Sequence, residues 1–473
     1  MVRYWFLICL AAAVTIPAIF LRIIGVNPAQ PVINAASFGI AIVGGAFLLT
    51  WAAEVAEMDI SQGLALAFLA LVAVLPEYAV DLYFAWKAAA HPEYTAYAAA
   101  NMTGANRLLI GIAWPLIVLL YWVRGRTEPK LNAGTMSGAL PRSHASRRRL
   151  ERWRLLSVSG KVSRSEEITA HPEEAAPKQA RSFRAASKGS QRPSRRVLAE
   201  QAPPYLAGTV LKLPATRAVE LVFLALATMY SFVIPLKGTI SLVDTVVLIG
   251  IFAAYMWRIA GAGAEEPDLV GPALALAAFR PAPRRAAIVG IFLFSAAVIL
   301  GSAEPFAEAL IGIGRHSGID EFLLVQWLAP LASEAPEVVI ACILTLKGNA
   351  QAGMGAMVSA KVNQWTLLVG TLPVVYSAGL LGPGALHLDS RQVEEIALTA
   401  AQSLFAVAVL CRLRLSIFEA FVLFVLFASQ LLIPSQTVRY GFALTYAVLG
   451  VATLVRSRQA LSGLLHAGLR APL

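Results

Sequence analysis

Two apolar stretches of the chain carry a proline followed at once by a glutamate, Pro76-Glu77 and Pro336-Glu337. Asp81 lies four residues after Glu77, so a helix places both acids on one face. Ser333, Glu334 and Glu337 similarly share a face at i, i+1 and i+4. Asparagines follow each pair: Asn101 and Asn106, bracketing Gly104, and later Asn363, four residues after Ser359. Proline lacks an N–H and its ring clashes with the carbonyl four residues earlier, which frees that carbonyl from the helical ladder. A freed carbonyl beside a carboxylate is a hard-oxygen pair suited to Na⁺ or Ca²⁺. The competing reading is structural: protonated carboxyls bonding a neighbouring helix, and asparagines acting as interhelical hydrogen-bond donors.

The elements that must position these residues are membrane helices. Hydrophobic residues make up 58% of the 473, charged residues only 14%, and the mean hydropathy is +0.67. Soluble domains are about 25% charged, so a soluble enzyme, a secreted disulfide scaffold and a disordered protein are excluded. Spans of the required ~20 apolar residues are expected at 4–24, 33–56, 62–86, 96–123, 215–235, 240–260, 285–310, 321–346, 352–381, 393–411, 416–433 and 438–456. A charge at the bilayer centre costs about 3 kcal/mol on insertion scales. A chain that bears this cost at both Pro-Glu sites has a use for it. Cys9, Cys342 and Cys411 sit in apolar runs without CxxC spacing, and the six histidines fall in loops or near the ends of the chain. No HExxH appears, so the spans offer no histidine metal site.

The net charge of +11 belongs to one segment. Residues 124–205 hold 18 Lys and Arg against 7 Glu, while the remainder is balanced. That segment is rich in Ser, Pro, Ala and Arg and is expected to be a disordered cytoplasmic loop obeying the positive-inside rule, with a regulatory contact to anionic lipid headgroups as the alternative reading and no nucleic-acid role. Placing it inside puts both termini in the cytoplasm and most other basic loops with them, as the positive-inside rule asks. One connection, 57–61, carries Glu57 and Asp59 and no base. The first span reads as a retained helix of the cytoplasmic (inner) membrane, because Arg22 stands near its end and the small-residue cleavage pattern is missing.

The two Pro-Glu stretches belong to an internal repeat. Leu75-Pro76-Glu77-Tyr78 leads to Lys87, Asn106 and Leu108-Leu109-Ile110-Gly111, whereas Ala335-Pro336-Glu337-Val338 leads to Lys347, Asn363 and Leu367-Leu368-Val369-Gly370. Pro115 and Pro373 follow in matching places. Five spans separate the starts of the two units, an odd number, so the copies face opposite sides of the membrane. The expected organisation is an extra helix at 1–32, a first repeat at 33–123 and 206–262 interrupted by the 124–205 loop, a second repeat at 263–434, and a C-terminal helix and tail at 435–473. The fold class is an all-α polytopic membrane protein of about twelve transmembrane helices, with two inverted-topology repeats of about five helices.

These features resemble the sodium/calcium exchanger branch of the calcium/cation antiporter superfamily. Its paired repeats carry a Gly-Thr-Ser-x-Pro-Glu stretch followed by Gly-Asn-x-x-Gly-Ser-Asn, and the likeness covers residues 62–123 and 321–381. It implies that Glu77 and Glu337 are the acids that bind the metal cation, with Asn101, Asn106 and Asn363 as further ligands. Asp81, Ser333, Glu334, Ser359 and Lys361 are the remaining candidates for the site or its pathway. Departures fall inside the motif. Ala73 and Val74 replace the hydroxyl pair before Pro76, Ser333 and Glu334 hold the corresponding places before Pro336, and Lys361 stands where the family has glycine. Lys361 is therefore either a structural ion-pair partner or a tethered cation beside Glu334 or Glu337.

The resemblance implies secondary antiport by alternating access, moving Ca²⁺ or another cation against Na⁺ or H⁺, with no cofactor and no catalytic residue. Exchange of a monovalent cation for protons on the same fold is the alternative. A cation channel would place its filter at an oligomer axis and needs no duplicated acids. An intramembrane enzyme would need a nucleophile–base pair or a histidine metal site.

Overall fold

The computed structural model describes residues 2–59, 74–127, 209–260, 269, 271–432 and 435–469. The expected basic loop and the first half of the expected 62–86 span lie outside the described residues. The described helices belong to one compact unit made from Met1–Thr127 and Leu206–Leu473.

The helices are α1 (Val2–Ala13), α2 (Ile16–Ile24), α3 (Pro31–Ala56), α4 (Leu75–Ala88), α5 (Tyr94–Leu108) and α6 (Trp114–Thr127). After residue 209 come α7 (Ala218–Ser231), α8 (Val233–Lys237), α9 (Leu242–Ala260), α10 (Ala273–Ala277), α11 (Pro281–Ser317) and α12 (Glu321–Leu346). The last six are α13 (Ala350–Asn363), α14 (Val369–Gly379), α15 (Ser390–Leu410), α16 (Ile417–Leu432), α17 (Gln436–Arg456) and α18 (Arg458–Leu469). Among the described residues nine helical segments are long and apolar enough to cross a membrane, and Ile417–Leu431 is a shorter apolar helix. Large apolar side chains such as Leu236, Val246, Trp257 and Phe418 stand exposed on the outer surface. In water they would be a liability; against lipid tails they are at home.

The all-α expectation needs one correction. Two antiparallel ladders of three-residue strands join distant loops: β1 (Val210–Lys212) with β4 (Arg414–Ser416), and β2 (Thr239–Ser241) with β3 (Ala385–His387). In each ladder the middle pair is apolar and buried, Leu211 opposite Leu415 and Ile240 opposite Leu386. Strands this short tie loops together outside the helical ladders and leave no periodic trace in sequence.

Three features of the packing set up the site. α5 and α6 are one helix interrupted by a π-turn at Leu109–Ala113, and α13 and α14 are joined in the same way at Gln364–Leu368. Such turns concentrate at functional sites. α5 lies so close to α12 that a Cβ on Gly104 would collide with the Gln326 carbonyl oxygen. That carbonyl has lost its helical donor because Pro330 stands four residues on. Farther along α12, a Cβ on Gly353 of α13 would meet the Ala341 carbonyl oxygen at 2.6 Å. Glycine is thus what lets both asparagine-bearing helices sit directly on the helix carrying Glu334 and Glu337.

Candidate ion-binding site

Glu77 occupies the first turn of α4, with Pro76 just before it. Proline is preorganised for a helix start, and a carboxylate there meets the positive end of the helix dipole. Pro336 differs: it lies within the continuous α12, so Glu337 sits one residue past an interior break in the hydrogen-bond ladder.

Asp81 is fully buried and neither of its carboxylate oxygens has a hydrogen-bond partner among the described residues. Glu77 is buried with its Oε1 unpartnered. Asn101 lies beside Asp81, its amide also without a bond. Asn363 is buried with a free Oδ1. Glu334 accepts a 2.7 Å bond from the Gln364 amide, while the half-buried Glu337 lies within electrostatic range of both Glu77 and Glu334. Acids from the two Pro-Glu helices therefore share one buried region, between α4, α5, α12 and α13. Buried polar atoms without partners are rare in folded proteins and call for a reason.

Two candidates are turned elsewhere. Ser333 spends its hydroxyl proton inside its own helix, on the carbonyls of Ala329 and Pro330. Ser359 pairs with the hydroxyl of Tyr255 on α9 at 2.8 Å and does not join the acids. Asn106 donates to the Met102 carbonyl at 2.9 Å and accepts from Lys361. Lys361 is fully buried and makes no ion-pair contact with Glu334 or Glu337; its ammonium donates at 2.6 Å to both the carbonyl and the side-chain oxygen of Asn106. Among the described residues no group of three or more His, Cys, Asp and Glu side chains is arranged to hold a metal ion. The donors on offer are a mixture of carboxylate and amide oxygens, which suits a hard cation held briefly.

Sequence reading missed Gln364, although the adjacent Asn363-Gln364 pair in an apolar span was a usable signal. It also missed a second buried polar cluster. Arg107, the residue after Asn106, pairs with Glu395 of α15 at 2.7 Å, and Arg439 of α17 holds the other Glu395 oxygen at 2.6 Å. Gln326 of α12 donates to Glu395 and to Thr103, both at 3.1 Å, and Glu394 lies 3.7 Å from Arg439. Toward one end of α4, Glu308 of α11 accepts hydroxyl bonds from Tyr83 and Tyr94 at 2.5 and 2.6 Å.

A polytopic helical membrane protein with acids from two proline-interrupted units gathered in its interior is the class that fold and site define. The chain belongs to the sodium/calcium exchanger protein family, whose model matches residues 30–140 and 287–435 and so spans both acid-bearing units. It is similar to the H⁺/Ca²⁺ exchanger CAX, with 36% identity, a TM-score of 0.78, and coverage of 99% of this chain and 98% of that one. YfkE shares 13% identity at a TM-score of 0.52, covering 93% of this chain and 99% of its own. No curated protein matches the chain.

Proposed function

We propose that the chain is a secondary active antiporter that moves Ca²⁺ against H⁺, or against Na⁺, by alternating access. The observation that carries this reading is the group of unpartnered buried oxygens on Glu77, Asp81, Asn101 and Asn363. Carboxylates withdrawn from water need positive charge nearby, and either a divalent cation or protons supply it. Two ions competing for the same carboxylates is the physical basis of exchange. Proton coupling is favoured over sodium by the 36% identity to an H⁺/Ca²⁺ exchanger along almost the whole chain.

In this reading Glu77 and Glu337 are the principal ligands, with Asn101 and Asn363 contributing oxygens, Asn106 taken up by Lys361, and Asp81 and Glu334 completing or approaching the site. Ser333 and Ser359 stay peripheral. Twelve spans in two inverted repeats, with both termini and the basic loop in the cytoplasm of the inner membrane, form the frame. The matched π-turns after Asn106 and Asn363 support the repeat. The acid-bearing helices then form a fixed core, against which the other helices of each repeat move to open the site to either face.

Purified protein in liposomes, driven in turn by H⁺, Na⁺ and Ca²⁺ gradients, tests the proposal. Ca²⁺ uptake driven by an outward H⁺ gradient is the expected result. Absence of Ca²⁺ flux under every gradient, in protein shown to be inserted, would overturn it.

A further inference from the structure

Lys361 ranks among the largest side chains that are fully buried, and it stands on α13 facing the acids rather than lipid. Its ammonium grips Asn106 twice, through the backbone carbonyl and through Oδ1, each at 2.6 Å. One carbonyl and one amide oxygen converging on a single positive centre is a donor set that a hard monovalent cation would also take. Glu334 and Glu77 lie within electrostatic range of the ammonium, as does the repelling guanidinium of Arg107, and the Trp365 ring centroid is 5.4 Å away. The oxygens of Glu77, Asp81, Asn101 and Asn363 remain without partners.

Resting on the reading of this region as a cation site, we infer that the Lys361 ammonium is a built-in cation. It fills the Asn106 position permanently and excludes Na⁺ from it. The Glu77, Asp81, Asn101 and Asn363 oxygens, with the Glu337 carboxylate, are left for a single divalent cargo ion. A lysine that only cross-links α5 to α13 would hold the helices together without setting how many ions bind. The two roles separate in an ion count.

Equilibrium binding of radioactive Na⁺ and of Ca²⁺ to the purified full-length chain tests the inference. The intact protein should bind Ca²⁺ and no saturable Na⁺. Lys361→Gly, which removes the ammonium and opens its space, should gain one saturable Na⁺ per chain. Lys361→Met, which removes the charge but keeps the volume filled, should gain none. Lys361→Ala serves in the same assay if the glycine variant does not fold. Ca²⁺ binding retained with no Na⁺ gained in the small-residue variant, or saturable Na⁺ already bound by the intact protein, would overturn the built-in cation alone. Failure of the intact protein to bind Ca²⁺ would instead defeat the underlying reading of the site.

Discussion

At Glu77 three circumstances meet: a helix start, a proline that needs no partner there, and an oxygen left unbonded inside the protein. Glutamine keeps the shape of the side chain and removes the charge. Glu77→Gln, and separately Glu337→Gln, should leave the protein folded and expressed at normal levels while abolishing gradient-driven Ca²⁺ uptake. Full uptake by both single variants would remove these acids from the transport site. Both were legible in sequence because Pro-Glu recurs, and a repeated cost in the membrane is a signal that composition cannot hide. The partners were not legible. That Lys361 would bond Asn106, 255 residues away, or that Gln364 would bond Glu334, follows from how helices are turned against one another. A polar residue in an apolar run announces that it has a partner without saying which.

Among the elements, α5, α12, α15 and α17 are joined by the Arg107–Glu395–Arg439 cluster with Gln326, all of it buried. Removing one member of a buried ion pair leaves the others uncompensated, at a cost of about 3–5 kcal/mol. Glu395→Ala, which strands two guanidinium groups, should lower thermal stability by that order, as read by melting of the detergent-solubilised protein. A change below about 1 kcal/mol, the scale of an exposed pair, would mean the cluster is solvated. A second link lies where α3 ends and α11 begins: Asp59 accepts two 2.8 Å bonds from Arg284 and a third, at 3.2 Å, from Arg285. Asp59, in the acidic connection that lacked a base of its own, is thus paired with two arginines at the start of α11. The Arg284 guanidinium holds the Asp59 carboxyl below the usual carboxylate range. A lowered folded-state value contributes stability that is complete above the unfolded value, near pH 4, and is lost as pH falls through the folded one. Asp59→Asn should therefore melt below the intact protein by a margin that stays constant from pH 8 to pH 5 and narrows only in stronger acid. A margin that varied across pH 5–8 would show that another group sets it. The long helices were readable from apolar runs of about 20 residues. The β1–β4 and β2–β3 ladders were not, since three residues cannot display a period.

On the scale of the whole molecule, charge and machinery separate. Outside residues 124–205 basic and acidic residues balance, and the full +11 lies within that segment. The acid-bearing helices, the π-turns and the buried ion-pair cluster all belong to the other unit of the chain, and every candidate ligand is outside Glu128–Tyr205. A segment that supplies no ligand and little apolar surface has two physical means of influence, its length and its charge. Charge acts on anionic headgroups, with about 1 kcal/mol per basic residue near the surface, and is screened by salt. Replacing residues 128–203 with a neutral Gly/Ser linker should therefore preserve Ca²⁺ exchange in neutral liposomes. Whatever stimulation anionic lipid gives the intact protein should be lost, and high salt should make the intact protein behave like the variant. Uptake measured for both proteins in liposomes with and without anionic lipid, at low and high ionic strength, makes the comparison. Loss of exchange in a correctly inserted variant, in neutral lipid, would place the basic segment within the transport machinery instead.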